Sequence, residues 1–428
     1  MIFKSDFPFA PKKWPFFYGW FLVFAAMLGI FSSIPGQTAG FSAFTNPLIE
    51  SLKITRSDLA LAYGIGTICS GFILPKGGVF LDKYGTRLTA VIVYGGLGTV
   101  LYIFSCSEAI FASISTNGIA QVGAMAVLVL GLRFFGQGML PVISNTMVSR
   151  WFDKKRGKVI AFMGVVNSLT FNAAPAVLSF LIVSDTWQLT WRYLAVIMGI
   201  GFLFFAWLFF RDSPESCDLQ VDGEKSEVDE VKEMEGMTVE EAVKTRNFIV
   251  LALALSIYGM TLTGLTFHLQ AIGQENGLQT KDAMKLFIPV SIISIPIGFM
   301  TAWLSDKFSK KILIIILLFA QIIAYISVSF LGTKTGYYCS IVFLGLSGGM
   351  FGPIYTIAFP WFFGRKHLGA INGKVTSIMV IMSGIGPFMF SIVKSFSGSF
   401  SYALYLSAVF PFLVLFIAFK ITPGKLYS

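Results

Sequence analysis

The sequence predicts an all-α integral membrane protein with twelve transmembrane helices, arranged as two pseudo-symmetric six-helix bundles. Three observations predict it. Of 428 residues, 55% are hydrophobic and only 13% charged, and mean hydropathy is +0.76. Soluble domains carry about twice that charged fraction, and one of this length could not hide so much apolar surface. The apolar residues also fall into runs long enough to cross a bilayer, which takes about 20 residues as helix. Finally, the runs form two series of six whose loops repeat each other: Asp82 corresponds to Asp306, and Trp151 to Trp361.

The first series lies near 17–42, 59–80, 88–107, 119–147, 158–184 and 192–210. The second lies near 248–272, 285–304, 311–332, 337–359, 370–393 and 401–421. These are spans one to twelve. Lys12 and Lys13 precede the first run and no small-residue cleavage site closes it, so it is expected to stay in the membrane. An even number of spans puts both termini on one side, and the Lys/Arg bias selects that side. The set of connections that includes the termini carries 17 Lys and Arg, excluding the central loop; the opposite set carries 7. The expected location is the cell (inner) membrane, with termini and central loop cytoplasmic.

Residues 211–246 hold 12 acidic and 5 basic side chains. They divide the chain into an N-terminal half (1–210), a cytoplasmic acidic linker (211–246) and a C-terminal half (247–428). From Asp212 to Glu235 the linker is acidic and poor in aromatics, the composition of a disordered segment. Thr238 and Glu241 are spaced as a capping box that opens a short helix before span seven. The net charge of +10 is spread over short basic clusters between apolar runs, which is a topology signal and no groove for nucleic acid. Cys69, Cys106, Cys217 and Cys339 are far apart, so neither a disulfide framework nor a metal site is expected. With two histidines and no acids inside spans, no catalytic constellation, cofactor or metal is expected, and the protein reads as no enzyme.

Between spans two and three stands Gly78-Val-Phe-Leu-Asp82-Lys83-Tyr-Gly85-Thr-Arg87. This resembles the signature loop of the major facilitator superfamily, with Thr86 where a basic residue is common. A second copy keeps Asp306 and Lys307 but has Ala302 and Ser309 in place of glycines. The resemblance covers essentially the whole chain and implies the major facilitator fold, transport by alternating access and a single working chain. Arg133-Phe-Phe-Gly-Gln-Gly138, Trp151-Phe-Asp-Lys-Lys-Arg-Gly157 and Thr266-Phe-His268-Leu resemble the branch of monocarboxylate transporters and oxalate/formate exchangers. In those exchangers a span-eight arginine faces the anion. Span eight here, Leu286–Leu304, has no charged residue in its interior, which argues against dicarboxylate exchange.

The signature loop reads as a gate: Asp82, at the end of span two, can be held by Arg87 or another basic side chain and released in a second state. Gly78, Lys83, Gly85, Arg87, Asp306 and Lys307 complete the gating set. Ionisable residues inside spans are costly and mark function. Arg133 is mid-span in helix four, facing either a solute or backbone carbonyls of neighbouring helices. Lys374, one turn inside span eleven, binds solute or snorkels. His268 in span seven binds an anion, carries a proton or bonds a neighbouring helix. Lys76 and Lys394 are read as snorkelling. In span one, Pro35 and Gly36 interrupt the backbone, and broken helices often mark substrate sites; Gln37 and Thr38 offer polar groups there. Tyr355 in span ten is a further binding candidate; singly it reads, like Asn145, Asn167 and Asn172, as interhelical glue.

No span interior contains Asp or Glu, so a cationic solute would have no counter-charge. The expectation is a secondary active transporter of a small organic anion such as a monocarboxylate, with lipid around it and H+ as a candidate coupling ion. The alternative is an exporter of an amphipathic drug or siderophore-like compound, to which the 45 phenylalanines give an apolar interior.

Overall fold

The computed structural model describes residues 6–114, 118–152, 155–223, 236–364 and 368–421, with the side chains of 156–158, 160–161, 172, 306 and 368–370 left aside. The side chains of Asp306 and Asn172 thus lie outside what is described. The chain divides into two compact units, Met1–Glu230 and Val231–Ser428.

Eleven helical segments among the described residues are long and apolar enough to cross a bilayer. One of them, Arg56–Ser105, has 50 residues and would measure about 75 Å if straight, against an apolar thickness of about 30 Å. It is two helices. Gly85 has φ 82° and ψ 169°, a conformation essentially confined to glycine, and it separates span two (56–84) from span three (86–105). Unit 1 therefore holds spans one (Tyr18–Ser42), two, three, four (Gly118–Trp151), five (Phe162–Ser184) and six (Trp187–Phe209). Unit 2 holds spans seven (Arg246–Glu275), eight (Thr280–Ser305), nine (Lys310–Val328), ten (Lys334–Phe363), eleven (Ile371–Ser397) and twelve (Phe400–Ala418). This is an integral, multi-pass membrane protein.

Side chains satisfy the exposed amides at several helix starts. Thr55 and Asp58 form a capping box at span two; Thr186, Thr245, Thr333 and Ser399 each accept a backbone N–H at spans six, seven, ten and twelve. Each cap satisfies an amide that no lipid can bond. The box expected at Thr238 and Glu241 is present and opens the turn Val239–Ala242.

In unit 1, span one lies on spans four and five, and spans two and three on four and six; in unit 2, seven lies on eleven, eight and nine on ten, and nine on twelve. Glycines let backbones approach at the crossings, as small residues do in membrane bundles. A Cβ on Gly66 would sit 2.8 Å from the Ala126 carbonyl oxygen of span four, and one on Gly98 would strike Gly199 Cα of span six. Gly386 stands against the Met260 carbonyl in the same way. Large apolar side chains face outward, among them Phe72, Phe180 and Phe396, as a lipid-solvated surface requires.

One expectation is corrected over part of its range, residues 224–235 of the acidic stretch lying outside those described. The start of the central loop is folded against unit 1. Residues 215–217 and 221–223 form short helical turns, and Cys217 and Asp222 are buried. Composition pointed to disorder because acids lack apolar surface to bury. Here they have specific partners: Asp222 accepts the Lys155 N–H, and Asp212 caps span three.

Candidate functional site

Span one is broken where the sequence places Pro35 and Gly36. Helix Tyr18–Phe31 gives way to a tight turn, Ile34–Gly36, and Gln37 is extended before Thr38–Ser42 resumes the helix. Span four meets this break with a wide turn of i→i+5 bonding over Arg133–Met139, a feature frequent at functional sites. Gly36 and Gly136 touch directly: a Cβ on Gly36 would lie 2.6 Å from Gly136 Cα. That approach brings the Gly36 carbonyl, freed from the helical ladder by the extended Gln37, onto Arg133.

Arg133 is fully buried. Its Nη1 donates to the Gly36 carbonyl at 3.1 Å and to Thr38 Oγ1 at 3.2 Å. Its guanidinium stands 5.0 Å over the ring of Tyr63 on span two, in cation–π geometry. Tyr63 donates its hydroxyl to Thr38 Oγ1 at 2.7 Å. Nε and Nη2 of Arg133 have no protein partner. Spans one to six contain only Asp58 and Asp82 as acids, both near helix ends. A buried charged donor without a partner costs at least about 1–3 kcal/mol, so the cluster is incomplete as a purely structural element. Tyr63 carries no mark in the sequence, because a tyrosine within a span reads equally as packing.

The other expected binding residues are described within their own units. Gln37 is half-buried and donates to Ser33 Oγ one turn earlier. His268 is buried in unit 2, its Nε2 2.8 Å from the Pro387 carbonyl of span eleven and its ring against Phe400; this is the helix-to-helix bond among the readings open to it. Tyr355 pairs its hydroxyl with Thr376 Oγ1 at 3.0 Å. Lys374 is exposed.

At the signature loop, Asp82 is paired with Arg150 at the end of span four, at 3.1 Å. Arg87 has turned inward. It is 2% exposed and donates to the carbonyls of Trp207 and Phe7. Arg211 joins it, donating to Phe7 and Phe9 and lying over the Phe9 ring; burial pulls its guanidinium below the ordinary arginine pKa. Asp212 accepts from the Thr86 amide, the Thr86 hydroxyl and the Arg87 amide. Thr86 is buried, which gives a reason for a small hydroxyl residue there. Two arginines thus strap the N-terminal segment over the ends of spans three and six. Gly78 has open space around its α-carbon, and the Lys83 ammonium lies over the Tyr84 ring.

In unit 2, Lys307 stands 3.9 Å over the Trp303 ring, and Lys310 donates to the Ser305 carbonyl at 2.7 Å. Lys394, expected only to snorkel, forms an ion pair with Glu275 at 2.8 Å. Glu275 also accepts from the Ser399 hydroxyl and the Phe400 amide, so one carboxylate joins spans seven, eleven and twelve.

Comparison with known proteins agrees with this architecture. Two solved structures of a bacterial homologue of the human lysosomal transporter Spinster share the fold. One, inward-facing and occupied, superposes with a TM-score of 0.68 at 13% identity over 94% of this chain and 96% of that one. The other, inward-facing and unoccupied, gives 0.64 at 14% identity over the same shares. Among curated proteins, the oxalate:formate antiporter of Oxalobacter formigenes is 22% identical over 189 residues, which is 44% of this chain and 42% of that relative. The match therefore spans about two fifths of the antiporter's length. The model of the Major Facilitator Superfamily matches residues 26–387, and with twelve spans in two units of six, the chain belongs to that superfamily of transporters.

Proposed function

We propose that this transporter moves a small organic anion such as a monocarboxylate by alternating access, with Arg133 as the cation that binds it. One observation carries the reading: a fully buried guanidinium with Nε and Nη2 unpartnered, in a unit whose span interiors contain no carboxylate. Buried charges are normally paired; a solute anion supplies the missing partner. The partial likeness to an oxalate:formate antiporter supports an organic acid, and the uncharged interior of span eight favours one carboxylate over two. Thr38 belongs to the same site through its bond to Arg133, and Gln37 adjoins it at the break in span one. In this reading the protein has no catalytic role, and its location is the cell membrane with both termini cytoplasmic.

The gate is assigned to Asp82 with Arg150, which tie the ends of spans two and four together. An ion pair so open to water adds little stability, so its worth lies in being broken and remade. Gly85 and Arg87 set the turn that carries Asp82.

Uptake of labelled monocarboxylates into proteoliposomes tests the proposal. Saturable uptake by wild type and its loss in Arg133→Gln is expected. Equal uptake by both, or transport of a neutral or cationic solute alone, would overturn it; the latter outcome would favour export of an amphipathic compound.

A further inference from the structure

Arg133 uses one corner of its guanidinium on the protein. Both protein bonds, to Gly36 and Thr38, come from Nη1. The side-on edge, with Nε–H and one Nη2–H pointing the same way, is left whole. That edge is the one that meets both oxygens of a planar carboxylate through two parallel hydrogen bonds. It recognises a carboxylate only if the guanidinium plane is held still, since the arginine side chain otherwise rotates freely.

Tyr63 supplies that restraint from two directions. Its ring, 5.0 Å from the guanidinium carbon, bounds the guanidinium on one side. Its hydroxyl donates to Thr38 Oγ1, and the same oxygen accepts from Arg133 Nη1. The two donors occupy both lone pairs of Thr38 and fix its hydroxyl rotor. Tyr63 is itself wedged, fully buried, with Phe41 of span one 5.1 Å from its ring. Three spans thus set the orientation of one cation.

We propose that Tyr63 is a positioning residue for substrate specificity: its ring and hydroxyl hold Arg133 so that the Nε/Nη2 edge receives one carboxylate group. This rests on the reading of Arg133 as the anion site. Tyr63 reaches the solute through Arg133 and Thr38.

The test compares wild type with Tyr63→Phe, which keeps the ring, and Tyr63→Leu, which removes it. Initial uptake of labelled formate and of labelled lactate is measured in proteoliposomes, alongside the rise in Tm that each acid produces in the detergent-purified protein. Tyr63→Phe is expected to raise KM by about five- to tenfold with Vmax within about twofold, the size of one lost hydrogen bond. Tyr63→Leu is expected to raise it further, and both are expected to lose most of the acid-dependent rise in Tm while the ligand-free Tm of Tyr63→Phe stays near wild type. A wild-type KM and a full acid-dependent rise in Tyr63→Phe would overturn the assignment, as would a loss confined to ligand-free Tm. Failure of wild-type protein to take up or be stabilised by either acid would instead sink the anion reading beneath it.

Discussion

Gly36 of span one and Gly136 of span four meet backbone to backbone, so that a Cβ added to Gly136 would sit 2.7 Å from Gly36 Cα. This contact sets the position of the Gly36 carbonyl, and with it the corner of Arg133 that the protein occupies. Gly136→Ala should therefore destabilise unit 1 by about 1–3 kcal/mol, the usual cost of overpacking, and reduce uptake through the displaced guanidinium. Gly78→Ala is the control, since nothing lies within 4 Å of its added carbon. Thermal unfolding of both variants checks the contrast: Tm should fall for Gly136→Ala and hold or rise for Gly78→Ala.

The turn at Gly85 has two locks. Its φ of 82° with ψ 169° excludes side chains, and an added Cβ would strike the Asp212 carboxylate. Gly85→Ala should cost about 1–3 kcal/mol from backbone strain alone and should also dislodge Asp212 from the start of span three. Asp212→Asn keeps the backbone and weakens only the cap, so a smaller loss is expected, about 1 kcal/mol. Denaturation of the two variants side by side separates the contributions.

Asp82 and Arg150 make the opposite case. Asp82 is 76% exposed in its side chain, so Asp82→Asn should change stability by less than about 1 kcal/mol. As a gate, the same change should cut transport by about tenfold or more. The charge-reversed pair Asp82→Arg with Arg150→Asp should recover part of the rate. Uptake and Tm measured on the same preparations decide this: a fall in uptake with no fall in Tm is the expected pattern.

On the far end of unit 2, Glu275 holds Lys394 and caps span twelve. Glu275→Gln should destabilise this end by about 1 kcal/mol, the worth of a lost cap. Hydrogen exchange at the start of span twelve should speed up first, ahead of span nine.

The spans and the broken first helix were legible because their signals are local: apolar run length, a Pro-Gly pair, a Thr and Glu three apart. Arg133 stood out because a cation in mid-span is costly and must find either a solute or backbone carbonyls to bond. What escaped depends on distant partners. Asp212 looks like a linker acid until Thr86, 126 residues earlier, is seen beneath it. Arg87 sits in the signature loop, yet its bonds run to Phe7 and Trp207, and Arg150 takes Asp82 in its place. Lys394 and Glu275 are 119 residues apart. Tyr63 becomes significant only through Thr38, 25 residues earlier, and Arg133 on span four.

Equilibrium binding of a labelled monocarboxylate to the purified protein, wild type against Arg133→Gln, tests the anion site most directly. Wild type should bind saturably, with affinity weakened by unlabelled carboxylate competitors, and Arg133→Gln should bind at least about a hundredfold more weakly, as expected when a charged hydrogen-bonding partner is lost. Equal affinity in the two proteins would contradict Arg133 as the anion's partner.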